Sequence, residues 1–134
     1  SGSGGIGIEA LSRGAAKAYF VESSPKAVAC ITDNVEHTHF TDKAVILKQD
    51  VFAAIRGSIR DTADIVFLDP PYNQEYDKRV LELLKDASFV NEDTLIVVEA
   101  ALKTEFDYVQ ELGFAVEKEK YYKTSKHVFI RKCA

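Results

Sequence analysis

The sequence predicts an α/β protein: a doubly wound, mostly parallel sheet that ends in an antiparallel hairpin. Short apolar runs alternate with stretches of helical periodicity along most of the chain, and that alternation builds a parallel sheet covered by helices. The runs are apolar throughout rather than at every second residue, as in Ile65-Val66-Phe67-Leu68, which suits strands buried on both faces. Near the end the rhythm changes. Residues 114–123 and 126–132 are two strand-like stretches separated only by Thr124-Ser125, a connection long enough for a hairpin but not for a parallel crossover.

Each element has its own local reason. Residues 6–12 read as a helix closed by Gly14, a left-handed stop. Ala18-Tyr19-Phe20-Val21-Glu22 is a strand with no polar interruption until its end. Ser24 then supplies an N-cap and Pro25 the first helical turn, with Ala27, Val28, Ile31 and Val35 on one face of the helix that follows. Val45-Ile46-Leu47 is a second strand. Residues 51–59 form a short helix weakened by Gly57. Residues 64–68 are a third strand, stopped by Pro70-Pro71. Residues 76–87 are a helix whose inner side is Val80, Leu81, Leu83 and Leu84. Residues 94–99 make a fourth strand, and residues 105–112 a last helix ended by Gly113.

Composition narrows the functional classes. A chain of 134 residues that is 46% apolar and 28% charged suits one soluble globular domain with a single core. No apolar run approaches the ~20 residues of a membrane span, and no signal peptide is expected. Cys30 and Cys133 form no CxxC pair and stand near no His/Cys cluster, so neither metal binding nor a disulfide framework is expected and a reduced, cytoplasmic setting is. A net charge of −4 excludes a whole-surface nucleic-acid binder but leaves room for a local basic face.

In sheets of this kind ligands sit at the carboxyl ends of the strands. The residues found there are the opening glycines, Glu22, Asp50 and Asp69-Pro70-Pro71-Tyr72. Ser1-Gly2-Ser3-Gly4-Gly5 has the look of a flexible spacer, yet Gly2-x-Gly4-x-x-Gly7 runs directly into helical periodicity, as a spacer has no reason to do. Glycines let a backbone approach a ligand closely, and the next helix N-terminus offers unpaired N–H groups. Glu22, at the end of the following strand, is placed to accept hydrogen bonds from ribose hydroxyls. Loop and acid together point to a nucleoside cofactor without separating a nicotinamide dinucleotide from S-adenosylmethionine.

The stretch Asp69-Pro70-Pro71-Tyr72 favours the second. Proline fixes φ and lacks an N–H, so the carbonyls of Asp69 and Pro70 are left as acceptors. An exocyclic amine on a nucleobase donates two hydrogens, and gripping both aims its lone pair at a methyl donor, a positioning effect worth up to ~7–11 kcal/mol in ideal cases. Tyr72 offers a flat face for a splayed base. A methyltransferase acting on DNA adenine or on a protein amide, or an NAD-type oxidoreductase, are the competing readings. The oxidoreductase leaves Asp69 to Tyr72 without a role.

"SGSGGIGIEALSRGA", "FVE", "LKQDVF" and "DIVFLDPPY" resemble the RsmD-type methyltransferases, a class I, Rossmann-like family. The resemblance covers essentially the whole chain. It implies transfer of a methyl group from S-adenosylmethionine to the N2 amine of a guanine in 16S rRNA of the small ribosomal subunit, by a cytoplasmic enzyme, with no metal or covalent intermediate. It implies that Ser1, Gly2, Ser3, Gly4 and Gly5 cradle the methionine part, that Glu22 holds the ribose, and that Asp50 and Val51 meet the adenine. Asp69, Pro70, Pro71 and Tyr72 would hold the guanine, Asp69 as an orienting acceptor. Family members carry an RNA-binding segment and a central strand ahead of the glycines. Residues 1–134 are therefore expected to be an amino-terminally incomplete catalytic domain, a monomer whose first central strand, between those ending at Glu22 and Asp69, is missing.

The closing hairpin interleaves Lys118, Lys120, Lys123, Lys126, Arg131 and Lys132 with Tyr121, Tyr122 and His127, either an RNA-contacting patch or a charged edge that discourages aggregation. Cys30 is expected in the core, and His37 and His39 at the surface.

Overall fold

Residues 4–68 and 74–133 are described by the computed structural model, with the side chains of Gln74 and Glu75 left aside. The chain divides into two units, Ser1–Ile59 and Arg60–Ala134. In the first, helix α1 (Gly5–Ser12) opens from Gly4, whose φ of 82° lies in the left-handed region, and the chain turns away at Gly14. Strand β1 (Ala18–Glu22) follows. The Ser24 hydroxyl then accepts the Ala27 N–H at 3.4 Å, and with Pro25 in the first turn it starts helix α2 (Pro25–His37). Strand β2 (Ala44–Lys48) pairs parallel with β1, Ala18 opposite Ala44 and Glu22 opposite Lys48. Helix α3 (Val51–Gly57) stops at the glycine, two residues sooner than expected, because Gly is a poor helix former with no side chain to pack.

The core of this unit is Leu11, Phe20, Ile31 and Val35, with Ile8, Phe40 and Ile46 packed against it. Cys30 is exposed, against expectation. At ~100° per residue it lies off the stripe that Ala27, Ile31 and Val35 define on α2.

In the second unit the strands run β3 (Ile65–Leu68), β4 (Leu95–Ala101), β6 (Ser125–Lys132) and β5 (Phe114–Tyr121) in spatial order. β3 and β4 are parallel, while β4–β6 and β5–β6 are antiparallel. Helix α4 (Gln74–Lys85) buries Val80, Leu81 and Leu84. One face of the sheet carries the buried residues Ile96, Val98, Ala100, Val128 and Ile130. The opposite face is half-exposed, so β6 alternates buried and half-buried residues along its length and Ile65 is 64% exposed. Burial on both faces, expected of the run Ile65 to Leu68, thus does not hold for β3.

Two further elements differ from expectation. Residues 105–112 form no α-helix but a short 3-10 turn, Asp107–Gln110, under which Phe106 and Val109 are buried. Phe106, Val109 and Leu112 recur every third residue, which matches the 3-10 repeat better than 3.6. The hairpin connection is wider than two residues: β5 ends at Tyr121, β6 begins at Ser125, and the Tyr122 N–H donates to the Ser125 carbonyl at 2.8 Å. The strands lie in two sheets rather than one, and among the described residues β1 pairs only with β2 and β3 only with β4. The strands expected to flank a central one therefore each have a partner on one side.

Candidate functional site

Gly4 and Gly7 are held against β1 by the ring of Phe20. A Cβ on Gly4 would lie 3.3 Å from that ring, and one on Gly7 would overlap it, so only glycine lets α1 approach the strand so closely. Such a fit identifies the glycine run, from Gly4 onward, as an integral turn rather than a spacer. Gly4 has no side chain to cap α1, which leaves the amides of its first turn open to an acceptor. Ser1, Gly2 and Ser3 lie outside the described residues.

Glu22 closes β1, two residues beyond Phe20. Its Oε2 accepts the Ser24 N–H at 3.3 Å, which ties the carboxylate to the loop entering α2. Asp50 leaves the neighbouring strand at the same edge, because Gln49 N–H donates to the Glu22 carbonyl at 3.1 Å and joins the two strand ends. The Asp50 carboxylate is exposed and caps no amide of α3, of which Val51 is the first residue. This unit therefore assembles a glycine turn, Glu22, Asp50 and Val51 around the end of one parallel strand pair. Gln49 adds a feature that sequence reasoning missed, a buried side-chain carbonyl, Oε1, with no hydrogen-bond partner.

Asp69, Pro70, Pro71 and Tyr72 lie outside the described residues. Leu68, the residue before them, ends β3 opposite Val98 of β4, and α4 begins at Gln74. The same helix carries a second residue the sequence reading missed. Asp77 is buried, its Oδ1 has no hydrogen-bond partner, and burial raises its pKa from 3.8 to about 6. Its signal was present in the spacing: Asp77, Val80, Leu81 and Leu84 form one inward stripe.

The cationic hairpin patch is smaller than its sequence suggests. Lys126 is buried, its Nζ 3.0 Å from Glu119 Oε1 and packed over the rings of Phe106 and Tyr121 at 5.8 and 5.7 Å. Arg131 is engaged by Glu117 and by the Asp93 carbonyl. Lys118, Lys120 and Lys123 remain exposed, as do His37 and His39. Among the described residues no group of three His, Cys, Asp or Glu side chains gathers in a way that could hold a metal ion, and no helix is long and apolar enough to cross a membrane.

A glycine turn packed on the first strand of an α/β fold, with an acid closing that strand, is a Rossmann-like arrangement, and solved methyltransferase structures share the fold. The chain belongs to the family described as Conserved hypothetical protein 95, whose model matches residues 1–131. It is 35% identical over 101 residues to "Putative rRNA methyltransferase YlbH" of Bacillus subtilis, a match covering 74% of this chain and 55% of that one. It is 30% identical over 104 residues to "Ribosomal RNA small subunit methyltransferase D" of Escherichia coli, covering 77% and 51%. A conserved hypothetical protein of Streptococcus pyogenes has a solved structure that superimposes with a TM-score of 0.86 at 34% identity, covering 98% of this chain and 81% of that one. These likenesses bear out the resemblance to the RsmD-type methyltransferases. The chain spans about half the length of the curated relatives it matches.

Proposed function

We propose that residues 1–134 form the catalytic domain of a cytoplasmic, monomeric methyltransferase that modifies the exocyclic N2 amine of a guanine in 16S rRNA of the small ribosomal subunit. The observation that carries this reading is Asp69-Pro70-Pro71-Tyr72 standing directly after β3 in the sequence, in a fold that opens with a glycine turn packed on Phe20. The relatives named as rRNA methyltransferases support the substrate class.

The residues present fit S-adenosylmethionine, which when bound supplies an electrophilic methyl group. Ser1 to Gly5 would cradle its methionine part, where the uncapped amides of α1 suit a carboxylate. Glu22 would accept the ribose hydroxyls, a role for which its tie to Ser24 suits it. Asp50 would accept from the adenine amine, and Val51 would meet the ring. On the substrate side Asp69 and Pro70 would each accept one hydrogen of the guanine amine, which would orient its lone pair for methyl transfer. Tyr72 stacks on the splayed base. Asp69 would act as an orienting acceptor.

Calorimetric titration with S-adenosylhomocysteine, with NAD as control, tests the cofactor. Selective binding of the former supports the reading, and binding of NAD alone overturns it. Asp69→Ala should abolish methyl transfer to 16S rRNA while S-adenosylhomocysteine affinity changes less than about threefold. Full-rate methylation by that variant would remove Asp69 from its role.

A further inference from the structure

The half-exposed face of the four-stranded sheet carries a row of rings that the methyl-transfer machinery does not use. Glu99 of β4 stands opposite His127 of β6, and His127 stands opposite Lys120 of β5. The His127 Nε2 lies 3.1 Å from Glu99 Oε1, which fixes the imidazole. That ring meets Phe67 of β3 edge to face, with centroids 5.7 Å apart, and Tyr122 at 4.9 Å. Tyr122 is 44% exposed and has the Lys120 ammonium 5.5 Å from its ring centroid.

Position and charge both give this row a meaning. Leu68 is opposite Val98, so Glu99, one residue on, lies at the sheet edge where β3 passes into Asp69. β6 begins at that same edge, because it runs antiparallel to β4. The carboxylates of the hairpin are turned to other tasks: Glu117 holds Arg131, and Glu119 accepts from Lys126 and from the Tyr121 hydroxyl. Lys118, Lys120 and Lys123 are left exposed beside the rings. Exposed rings interleaved with lysines are what a single nucleic-acid strand requires, since bases stack on any flat face and phosphates seek cations. A merely protective charged edge needs the lysines but not a braced aromatic row.

We propose that the tip of the β5–β6 hairpin binds single-stranded RNA flanking the target nucleotide, one base stacking on Tyr122 and phosphates meeting Lys120 and Lys123. The identity of that strand rests on the rRNA reading above; the surface itself does not. The test uses the full chain and a fluorescein-labelled single-stranded RNA carrying the guanine, with affinity read by anisotropy over a salt series. Tyr122→Ala should weaken binding about fivefold or more, whereas Tyr122→Phe, which keeps the ring, should bind like the parent. Lys120→Ala combined with Lys123→Ala should lower the slope of log affinity against log salt by about 1.4, from ~0.7 for each single-strand phosphate contact. Lys26→Ala, on the exposed surface of α2, should change neither reading. S-adenosylhomocysteine affinity serves as the check on folding. Parent-like RNA binding by both hairpin variants would overturn the proposal, as would a parent that binds no RNA. A parent that binds RNA through Tyr122 yet methylates no guanine would leave the surface standing and overturn the rRNA reading alone.

Discussion

The two units of the chain bury their side chains by different means. In residues 1–59 the buried cluster is Leu11, Phe20, Ile31 and Val35, gathered around one aromatic ring and a pair of glycines. In residues 60–134 the core runs from Val80 to Ile130 and rests on an extended sheet face with α4 and the segment around Phe106. The first achieves density by close backbone approach, the second by alternation of large side chains. A two-stranded parallel pair is thin by the standard of stable sheets. The unit that presents the glycine turn, Glu22 and Asp50 therefore rests on a small buried cluster centred on Phe20.

Three substitutions sharpen or break that contrast. Phe20→Ala should cost the most, about 3–5 kcal/mol, because it empties the single large ring around which the first core forms. A urea unfolding midpoint reads this directly, and a loss below about 1 kcal/mol would show that the ring is not the keystone. Gly7→Ala should cost about 1–3 kcal/mol through overlap with the same ring. Phe20→Leu introduced beside it should recover part of that loss; if the double variant is simply the sum of the two, Gly7 matters for another reason.

The smallest effect lies in the second unit and has the opposite sign. Asp77 holds its proton up to a pKa of about 6, above the 3.8 of the unfolded chain, because burial disfavours its charge. Folded chains then bind more protons than unfolded ones between about pH 4 and 6, so this group's contribution declines as pH rises through that window. Asp77→Asn should therefore stabilise the protein by about 1–2 kcal/mol at pH 8 and hardly at all at pH 4. Thermal unfolding of both proteins at the two pH values measures the difference, and an equal effect at each would rule out the carboxylate's charge as the cause.

How legible these features were depends on whether their cause is local. Ser24-Pro25 announced α2 because a cap and a proline act within one turn, and β1 was readable to the residue because nothing polar interrupts it before Glu22. Gly7 was noticed as part of a spacing, but its steric reason, the ring of Phe20, appears only once helix and strand are packed. Asp77 was overlooked although it sits on the apolar stripe of α4, since a carboxyl group there contradicts the pattern that reveals the stripe. Cys30 misled for the converse reason: an apolar residue on an amphipathic helix need not face inward. The Glu99–His127 pair could not be read at all, because it depends on the register between two strands 28 positions apart. At the end of the β1–β2 pair, Gly4, Glu22 and Asp50 were nameable from the glycine loop and the strand ends and Val51 only through the resemblance, whereas the unpartnered carbonyl of Gln49 needed coordinates.

The buried position of Lys126 has a chemical consequence. Its ammonium is covered by two rings and a carboxylate, while Lys118, Lys120 and Lys123 on the same hairpin stand in solvent. An acylating reagent that attacks free amines would mark the three exposed lysines first and reach Lys126 only when the hairpin opens. The rate at which Lys126 is labelled is thus a clock for hairpin opening, built into the chain at a single side chain.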